Sequence, residues 1–592
     1  MERESRLTGD PRAVRLAIVL AAACLLVLFF WRLGAAPLLD PDEGRYTEVP
    51  REMLARGDFV TPHLDGVLYF EKPPLHYWLV AAAIRTIGLN ALAPRLPSAL
   101  FALLGVLLVY TLGSALGGQR AGLVAAAALG TSPLYVTLGR LATLDMTLSV
   151  LLTLTLVCFW FAHREEEPRR RRLLWYGAFL AAALAVLAKG LIGIVIPGAI
   201  VLLYLLATGG WRILRSVPWA SGLAAFLLVG VPWHLLAALR NPDFLWFYFV
   251  HEHVLRYLTP VAERQEPFWY FVAVLALGCV PWSGLFPSSM RQLAWRRLRA
   301  SLGDHPEVSF LLIWAGFVLV FFSASQSKLI PYILPALPPL AILVGLLVAR
   351  LREGALSRSP LEAGGVIAGG ALTGVYGLFF LWAGLGKIHR AGLAGVVSPG
   401  LLLPGVALLL LGALVALSGV VAGWRWRLVA LLAASCAISI SIAGVVPLVG
   451  RERSSAAVAQ TLRAELEPGD LVFTYRCYPE SLPVYLRRTV GVAAYEGELA
   501  FGISHLEPSE RARRFPDAEQ FRVIWGSDRR VFVVGGRDWA RRMAADGITH
   551  ARLLWQGDAL VLLSNEGPPI RSNGYPAVGE KSETSASIAS HR

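Results

Sequence analysis

Charge is scarce in this sequence. Asp, Glu, Lys and Arg make up only 16% of 592 residues, 56% are hydrophobic, and the mean hydropathy is +0.56. A soluble chain of this length would not be so apolar, and the excess sits in blocks of about 17 to 23 residues, the length that spans a bilayer core. Cysteine is scarce as well, at five residues. Cys24, Cys158, Cys279 and Cys436 lie inside apolar runs and Cys477 stands alone, so no disulfide framework and no Cys-based zinc site is readable. There is no HExxH and no internal repeat. The first excludes the helical zinc-protease pattern. The second argues against a transporter built from repeated halves. The net charge of +14 would suit nucleic acid. The arginines, however, lie mostly in short loops between apolar runs, where they report membrane orientation and not a nucleic-acid face.

What is present, then, is a series of apolar runs. The first, from about Val14 to Trp31, follows Arg3, Arg6, Arg12 and Arg15 and resembles a secretory leader. Its core is long for one, and "LGAAPLL" is a weak cleavage site, so it reads as a retained signal-anchor helix. Further spans are expected at 97–116, 121–138, 144–162, 173–188, 190–207, 217–238, 268–287, 307–323, 330–350, 362–384, 399–421 and 428–447. The stretch "LHYWLVAAAIRTIG" (75–88) is short, contains Arg85, and suits an interfacial or re-entrant segment.

Parity decides the topology. If 75–88 does not cross and the N-terminus is cytoplasmic, the loops at Arg120, 163–172, 209–215, 291–299, 350–358 and 424–427 all face the cytoplasm. These are the most basic loops, as the positive-inside rule requires. Thirteen spans follow, and everything after 447 lies outside. The same assignment gathers Asp42, Glu43, Glu71, Lys72, Asp145, Lys189, His251, Glu252, His253, Arg256 and Lys328 at the outer face. Reactive side chains and charge bias thus separate to opposite faces, which points to an extracytoplasmic reaction. The expected architecture is an all-α polytopic membrane domain over 1–447, with an outer loop at 32–96. A small extracytoplasmic α/β domain follows over 448–565, then a polar, disordered tail over 566–592.

The outer loops carry the chemistry. "RYTEVPREMLARG" reads as a helix on the membrane surface, with Tyr46, Val49, Met53 and Leu54 on one side and charges opposite. It is expected to restart at Pro50 and end at Gly57. Asp42 and Glu43 precede it, where carboxylates meet the helix dipole favourably; helix capping alone would account for such a pair. In "YFEKPPLHYW", two prolines stiffen the backbone behind Glu71 and Lys72. Lys72 suits a phosphate, with Glu71 orienting it or binding a metal; a plain surface ion pair is the bland alternative. Asp145 sits at the mouth of a span, where an ionisable group is expensive unless it faces a cavity or a partner. Lys189 lies in a turn between apolar helices, as a site residue or as an interfacial anchor. "HEHVLRYL" offers His251, His253 and Arg256, with Arg suited to bidentate phosphate binding. "FFSASQSKLIPYILPALPP" combines Ser325, Ser327, Lys328 and Tyr332 at a helix entrance. Lys72, Arg256 and Lys328 together form a cationic set suited to a lipid phosphate whose isoprenoid tail lies among the helices.

The stretch "DPDEGRYTEVPREMLARGDFVTPHLDGVLYFEKPPLHYWL", followed in order by "RLPSAL", "ATLDMTL", "LAKGLIG", "PFWYF" and "FFSASQSKLIPYILPALP", resembles bacterial polyprenyl-phosphate-dependent glycosyltransferases. These are relatives of protein O-mannosyltransferases and of the 4-amino-4-deoxy-L-arabinose transferase that modifies lipid A. The resemblance covers about residues 14–350 well and the rest in outline. It implies a GT-C fold of about 13 transmembrane helices in the bacterial inner membrane. It also implies an undecaprenyl-phosphate-linked sugar as donor, and lipid A or another envelope molecule as acceptor. The reaction it implies is an inverting transfer with an Asp general base, and protein O-glycosylation is the alternative. Asp42 is the implied catalytic carboxylate, with Glu43 beside it and Asp145 as the second acid. Lys72, Arg256, Lys328 and Tyr332 would hold the donor phosphate, with Glu71, Lys189, His251 and His253 completing the site. A divalent cation, Zn or Mg, on Glu71 and His253 is a further expectation. Asp40, although it completes a literal DxD, reads as a bystander.

Overall fold

The computed structural model describes residues 11–259, 265–295, 305–352, 360–386, 399–548 and 550–566. The expected disordered tail lies outside them. The chain forms two compact units. The larger holds Met1–Ala456 together with two later segments, Pro479–Thr489 and Glu498–His505.

This larger unit is helical. It opens with α1 (Pro11–Phe30), α2 (Asp42–Arg56), α3 (Leu75–Ile87), α4 (Leu96–Thr131), α5 (Pro133–Gly139), α6 (Leu144–Arg164), α7 (Pro168–Lys189) and α8 (Ile192–Thr208). Among the described residues, eight helices are long and apolar enough to cross a membrane, or up to ten if each of two bent pairs is one span. The thirteen expected from hydropathy treated 97–116 and 121–138 as separate spans. Here the break expected between them is present, as non-helical backbone at Gly117 and Gly118 inside α4, and the second stretch runs past Ser132 into α5. Val19–Phe30 and Ile192–Thr208 fall among the shorter apolar helices. One bent pair, Trp219–Gly230 with Pro232–Arg240, turns by 42° where Pro232 cannot continue the ladder; the other, Tyr270–Gly278 with Trp282–Gln292, turns by 114°. The last apolar helix runs beyond the expected end at 447, from Trp424 to Glu452.

Helix α3 has 13 residues, short of the ~20 that span a bilayer. It packs on α2 and buries His76, Tyr77, Val80 and Ile84. Helix α2 departs from the expected surface helix in two respects. It passes through Pro50 without restarting, and its charged side is covered: Glu43, Arg45, Glu48 and Glu52 are all buried. Each carboxylate has a partner. Glu48 accepts from Arg51 Nε at 2.6 Å, and Glu52 accepts from the Gly66 amide at 2.8 Å and Arg56 Nε at 3.2 Å. Glu52 thereby anchors the small hairpin of β1 (His63–Leu64) and β2 (Val67–Leu68). Gly57, at φ +69°, ends the helix in the left-handed conformation that glycine adopts without strain.

The smaller unit carries a five-stranded sheet made of β3 (Leu471–Tyr475), β4 (Gly491–Ala493), β5 (Val531–Gly536), β6 (Arg552–Gln556) and β7 (Leu560–Ser564). Its order is β4-β3-β5-β7-β6. β3 pairs in parallel with β4 and β5, whereas β7 runs antiparallel to both β5 and β6. β3 lies in "DLVFTY", β5 in "RRVFVVGG", and β6 and β7 flank the "GD" at 557–558. Helices run over Ala456–Glu465 and Trp539–Ala545. Phe473, Phe521, Val533 and Leu563 fill the core.

Candidate active site

The loop that leads into α2 is tied down from several directions. Asp40 is half-buried and accepts from the Ser481 amide at 2.6 Å, from Ser481 Oγ at 2.8 Å and from Ser455 Oγ at 3.3 Å. The approach is so close that a Cβ on Gly44 would lie 2.4 Å from the Ser481 nitrogen and 2.6 Å from Asp40 Oδ1, so only glycine fits there. Burial pushes the Asp40 carboxyl up to about 7, against the opposing pull of the Ser481 and Ser455 hydrogen bonds. Asp40 is thus a structural clamp and not idle.

Glu43 is 2% exposed and belongs to a second clamp. Arg95 donates to it through Nε at 2.7 Å and Nη2 at 2.6 Å, while the Ala142 amide at 2.9 Å and the Leu39 amide at 3.0 Å supply two more donors. Arg95 uses its remaining donors on the carbonyls of Leu33, Ala36 and Pro37. Four donors on two oxygens leave Glu43 little capacity for substrate, and the arrangement fixes where its neighbour points.

Asp42 is different. Its side chain is 54% exposed, and the buried Arg45 holds it through an ion pair one helical turn on. Arg45 is shared with Glu498 and with the Tyr69 hydroxyl at 3.2 Å. Burial pushes the Glu498 carboxyl up, with Arg45 opposing. The charges of Asp42 and Asp145 both bear on Tyr46, whose hydroxyl is pushed well above its ordinary value, chiefly by burial.

A cavity of about 370 Å³ gathers four of the other expected residues: Glu71, Lys72, Lys189 and Tyr332 line it, joined by Glu252. Lys72 Nζ donates to the Glu71 carbonyl at 2.7 Å and to Glu252 Oε2 at 3.1 Å, and lies 3.7 Å from the Glu71 carboxylate. His251 Nδ1 lies 3.3 Å from the other Glu252 oxygen. Lys189 pairs with Asp145 and stands 4.5 Å above the Tyr332 ring. Apart from Tyr257, Ser325 and Ser327, the rest of the lining is apolar, from Leu191, Ile192, Val195, Leu258, Phe321 and Phe322. The cavity is therefore amphiphilic, with ammonium groups at one part of the wall and hydrocarbon over the remainder.

Lys328 is not among the lining residues. It is buried, and its ammonium donates to the Ser325 carbonyl at 2.7 Å, so Ser325 and Ser327 line the cavity where Lys328 was expected. Asp42 and Glu43 are not among the lining residues. The side chains of His253 and Arg256 lie outside the described residues. Among the described residues no group of three or more His, Cys, Asp or Glu side chains could hold a metal ion. Glu71 faces the Lys72 ammonium, which competes with any metal cation for that carboxylate. Sequence reasoning passed over Arg45, Arg95, Ser481 and Glu498. The i,i+3 spacing of Asp42 and Arg45 on a helix was a usable signal. Ser481 and Glu498, more than 400 positions downstream, carry none.

The family described as aminoarabinose transferase C-terminal domain matches residues 458–563, and that described as dolichyl-phosphate-mannose-protein mannosyltransferase matches 71–236. An undecaprenyl phosphate-alpha-4-amino-4-deoxy-L-arabinose arabinosyl transferase of Sodalis glossinidius is 31% identical over 83% of this chain and 88% of its own length. The chain belongs to this arabinosyl transferase family. The crystal structure of ArnT from Cupriavidus metallidurans bound to undecaprenyl phosphate is similar throughout. It shows 30% identity and a TM-score of 0.78, over 93% of this chain and 99% of that one. The fold is accordingly that of a GT-C multi-pass membrane protein with a small C-terminal sheet domain. The Pseudomonas paraeruginosa arabinosyl transferase is 37% identical over 56% of this chain, and the match spans 60% of the relative's length.

Proposed function

We propose that the chain is an inner-membrane glycosyltransferase that moves 4-amino-4-deoxy-L-arabinose from undecaprenyl phosphate to lipid A, at a site on the outer face. The observation that carries this reading is the amphiphilic cavity. A polyprenyl phosphate needs a cationic seat for its head and an apolar channel for its tail. Lys72 and Lys189 supply the first; Ile192, Val195, Phe321 and Phe322 line the second. The outward orientation rests on the positive-inside rule, which assigns the Arg-rich loops to the cytoplasm.

In this mechanism the bond between the sugar's anomeric carbon and the lipid phosphate breaks, and its electrons go to the phosphate oxygen. Cations already in place stabilise that growing charge without reorganising. Lys72 is held ready by Glu71 and Glu252, and Lys189 by Asp145. The acceptor oxygen attacks the opposite face of the sugar and inverts its configuration. Any proton it carries passes to Asp42, the exposed carboxylate, whose position is set by Arg45 and by the clamps on Asp40 and Glu43. The likeness of residues 71–236 to a protein mannosyltransferase supports a protein hydroxyl as the second candidate acceptor.

The test is transfer from synthetic undecaprenyl-phosphate sugars to lipid A or to peptide, with wild type and Asp42→Asn side by side. Labelled lipid A with wild type and none with the variant is the expected result. Transfer to peptide alone would replace the acceptor. Full activity in Asp42→Asn would remove it as the base.

A further inference from the structure

A second cavity, of about 240 Å³, lies where the end of α1, the end of α5 and the end of the Trp424–Glu452 helix converge. Four arginines line it, Arg32, Arg95, Arg140 and Arg451, and no acidic residue does. Arg95 is committed to Glu43 and three carbonyls; Arg140 donates to the carbonyls of Leu28 at 2.6 Å and Trp31 at 2.8 Å. Arg32 and Arg451 are exposed, and neither has an ion-pair partner among the described residues. Burial, and then the nearby Arg95 charge, lower the affinity of Arg140 for its proton. Three of the four, Arg32, Arg140 and Arg451, thus stand close together with no acidic partner among the described residues, beside an Arg95 that is paired only with Glu43.

Two further observations say what fills the gap. Directly adjoining, and sharing Trp31, Arg140, Ser439 and Ala443, is an apolar cavity of about 230 Å³ lined also by Val27, Leu28 and Ile440. Val27 and Ile440 are exposed on the apolar flanks of their helices, where lipid chains run. The arginines also run against the charge bias of the chain. The basic loops otherwise gather at the cytoplasmic end, whereas these four stand at the outer end of their helices. Arg32 is moreover held at φ +54°, a left-handed backbone uncommon for a residue other than glycine.

We infer that this paired cavity is a binding site for an anionic phospholipid of the outer leaflet, its phosphodiester on Arg32, Arg140 and Arg451 and an acyl chain between α1 and the Trp424–Glu452 helix. The site is separate from the donor cavity, with no lining residue in common. Because Arg95 both lines it and holds Glu43, the bound headgroup is one side chain removed from the catalytic loop.

The test uses the full-length protein in neutral detergent, with native mass spectrometry to count retained lipid and thermal unfolding to report stabilisation. Phosphatidylglycerol, phosphatidylcholine and inorganic phosphate form separate arms. Wild type is expected to retain phosphatidylglycerol at least tenfold more tightly than phosphatidylcholine, and to be stabilised by it. Arg32→Gln with Arg451→Gln should weaken that retention at least tenfold. Ala443→Phe, which fills the apolar part and leaves the charges, should weaken it as well. If the double glutamine variant fails to fold, the Ala443→Phe variant and the Arg32→Lys, Arg451→Lys pair carry the comparison. Equal retention in wild type and Ala443→Phe would overturn the site. So would stabilisation by inorganic phosphate equal to that by phosphatidylglycerol. Lipid retention is read without sugar transfer, so its failure is distinguishable from failure of the proposed reaction.

Discussion

Replacing Glu43 by glutamine separates two jobs that adjacent carboxylates are easily assumed to share. The substitution keeps the shape of the side chain and removes its charge. Glu43 offers two oxygens to four donors: Arg95 Nε and the Ala142 amide meet at one, Arg95 Nη2 and the Leu39 amide at the other. A glutamine has one oxygen, so in either amide orientation its NH₂ faces two donors and two hydrogen bonds are lost. Arg95 is also left as a buried cation with only carbonyls for company. Removing one partner of a buried pair costs about 3–5 kcal/mol. The expected outcome is a large drop in the thermal unfolding temperature of the purified protein, measured by intrinsic fluorescence. Activity should be lost mainly near that lower temperature and largely recover on cooling. Asp42→Asn should do the reverse, because that side chain is half exposed: unfolding unchanged within about 0.5 kcal/mol, transfer abolished at every temperature. An unshifted unfolding temperature in Glu43→Gln with transfer gone would refute the assignment, and Glu43 would then act on substrate directly.

Lys72→Gln should lower transfer by about 10²–10³-fold, the usual cost of losing one group that stabilises developing charge; a loss below tenfold, measured at saturating donor, would move the phosphate seat elsewhere. Asp145→Asn leaves Lys189 unpaired at the cavity wall, so donor KM should change while Asp145→Asn combined with Lys189→Met regains stability but not turnover. For pH, Asp40 titrates near 7 when folded and near 3.9 when unfolded, so the folded state binds the extra proton in between. Stability should therefore fall as pH rises from about 4 to 7 and level off above; Asp40→Asn should flatten that slope in unfolding scans, and an unchanged slope would refute the cause. A single cysteine at Leu92, just beyond α3, should react with an impermeant thiol reagent from the outer face, and labelling only from the cytoplasmic side would break the parity argument.

Much of the membrane unit was readable because hydropathy and backbone breaks act locally. The double glycine at 117–118 and Pro232 mark their interruptions in the sequence itself. So did the cavity lysines, since Lys72 before two prolines and Lys189 in an apolar turn are anomalies wherever they occur. Contacts set by distant chain were not readable. Nothing near Glu43 names Arg95, and nothing near Asp40 names Ser481. Helix α2 looked amphipathic and surface-bound because its carboxylates appeared unpartnered. Their partners come from Arg51, Gly66, Arg95 and the Ala142 amide, so the polar side is buried. The contact of Lys328 was hidden for a related reason: its charge was visible, but the Ser325 carbonyl that accepts from it depends on the turn formed by Ser325–Lys328.

The clamp on Asp40 has a consequence for biosynthesis. The residue that closes it, Ser481, lies 441 positions downstream, and Glu498, which shares Arg45 with Asp42, follows later still. Every membrane helix can be inserted before either exists. The loop at Asp40 and Asp42 therefore waits, half assembled, until the chain beyond Glu498 has been translated and delivered to the same side, and a nascent protein arrested after Glu452 would carry every long apolar helix found among the described residues and a loop still unlatched.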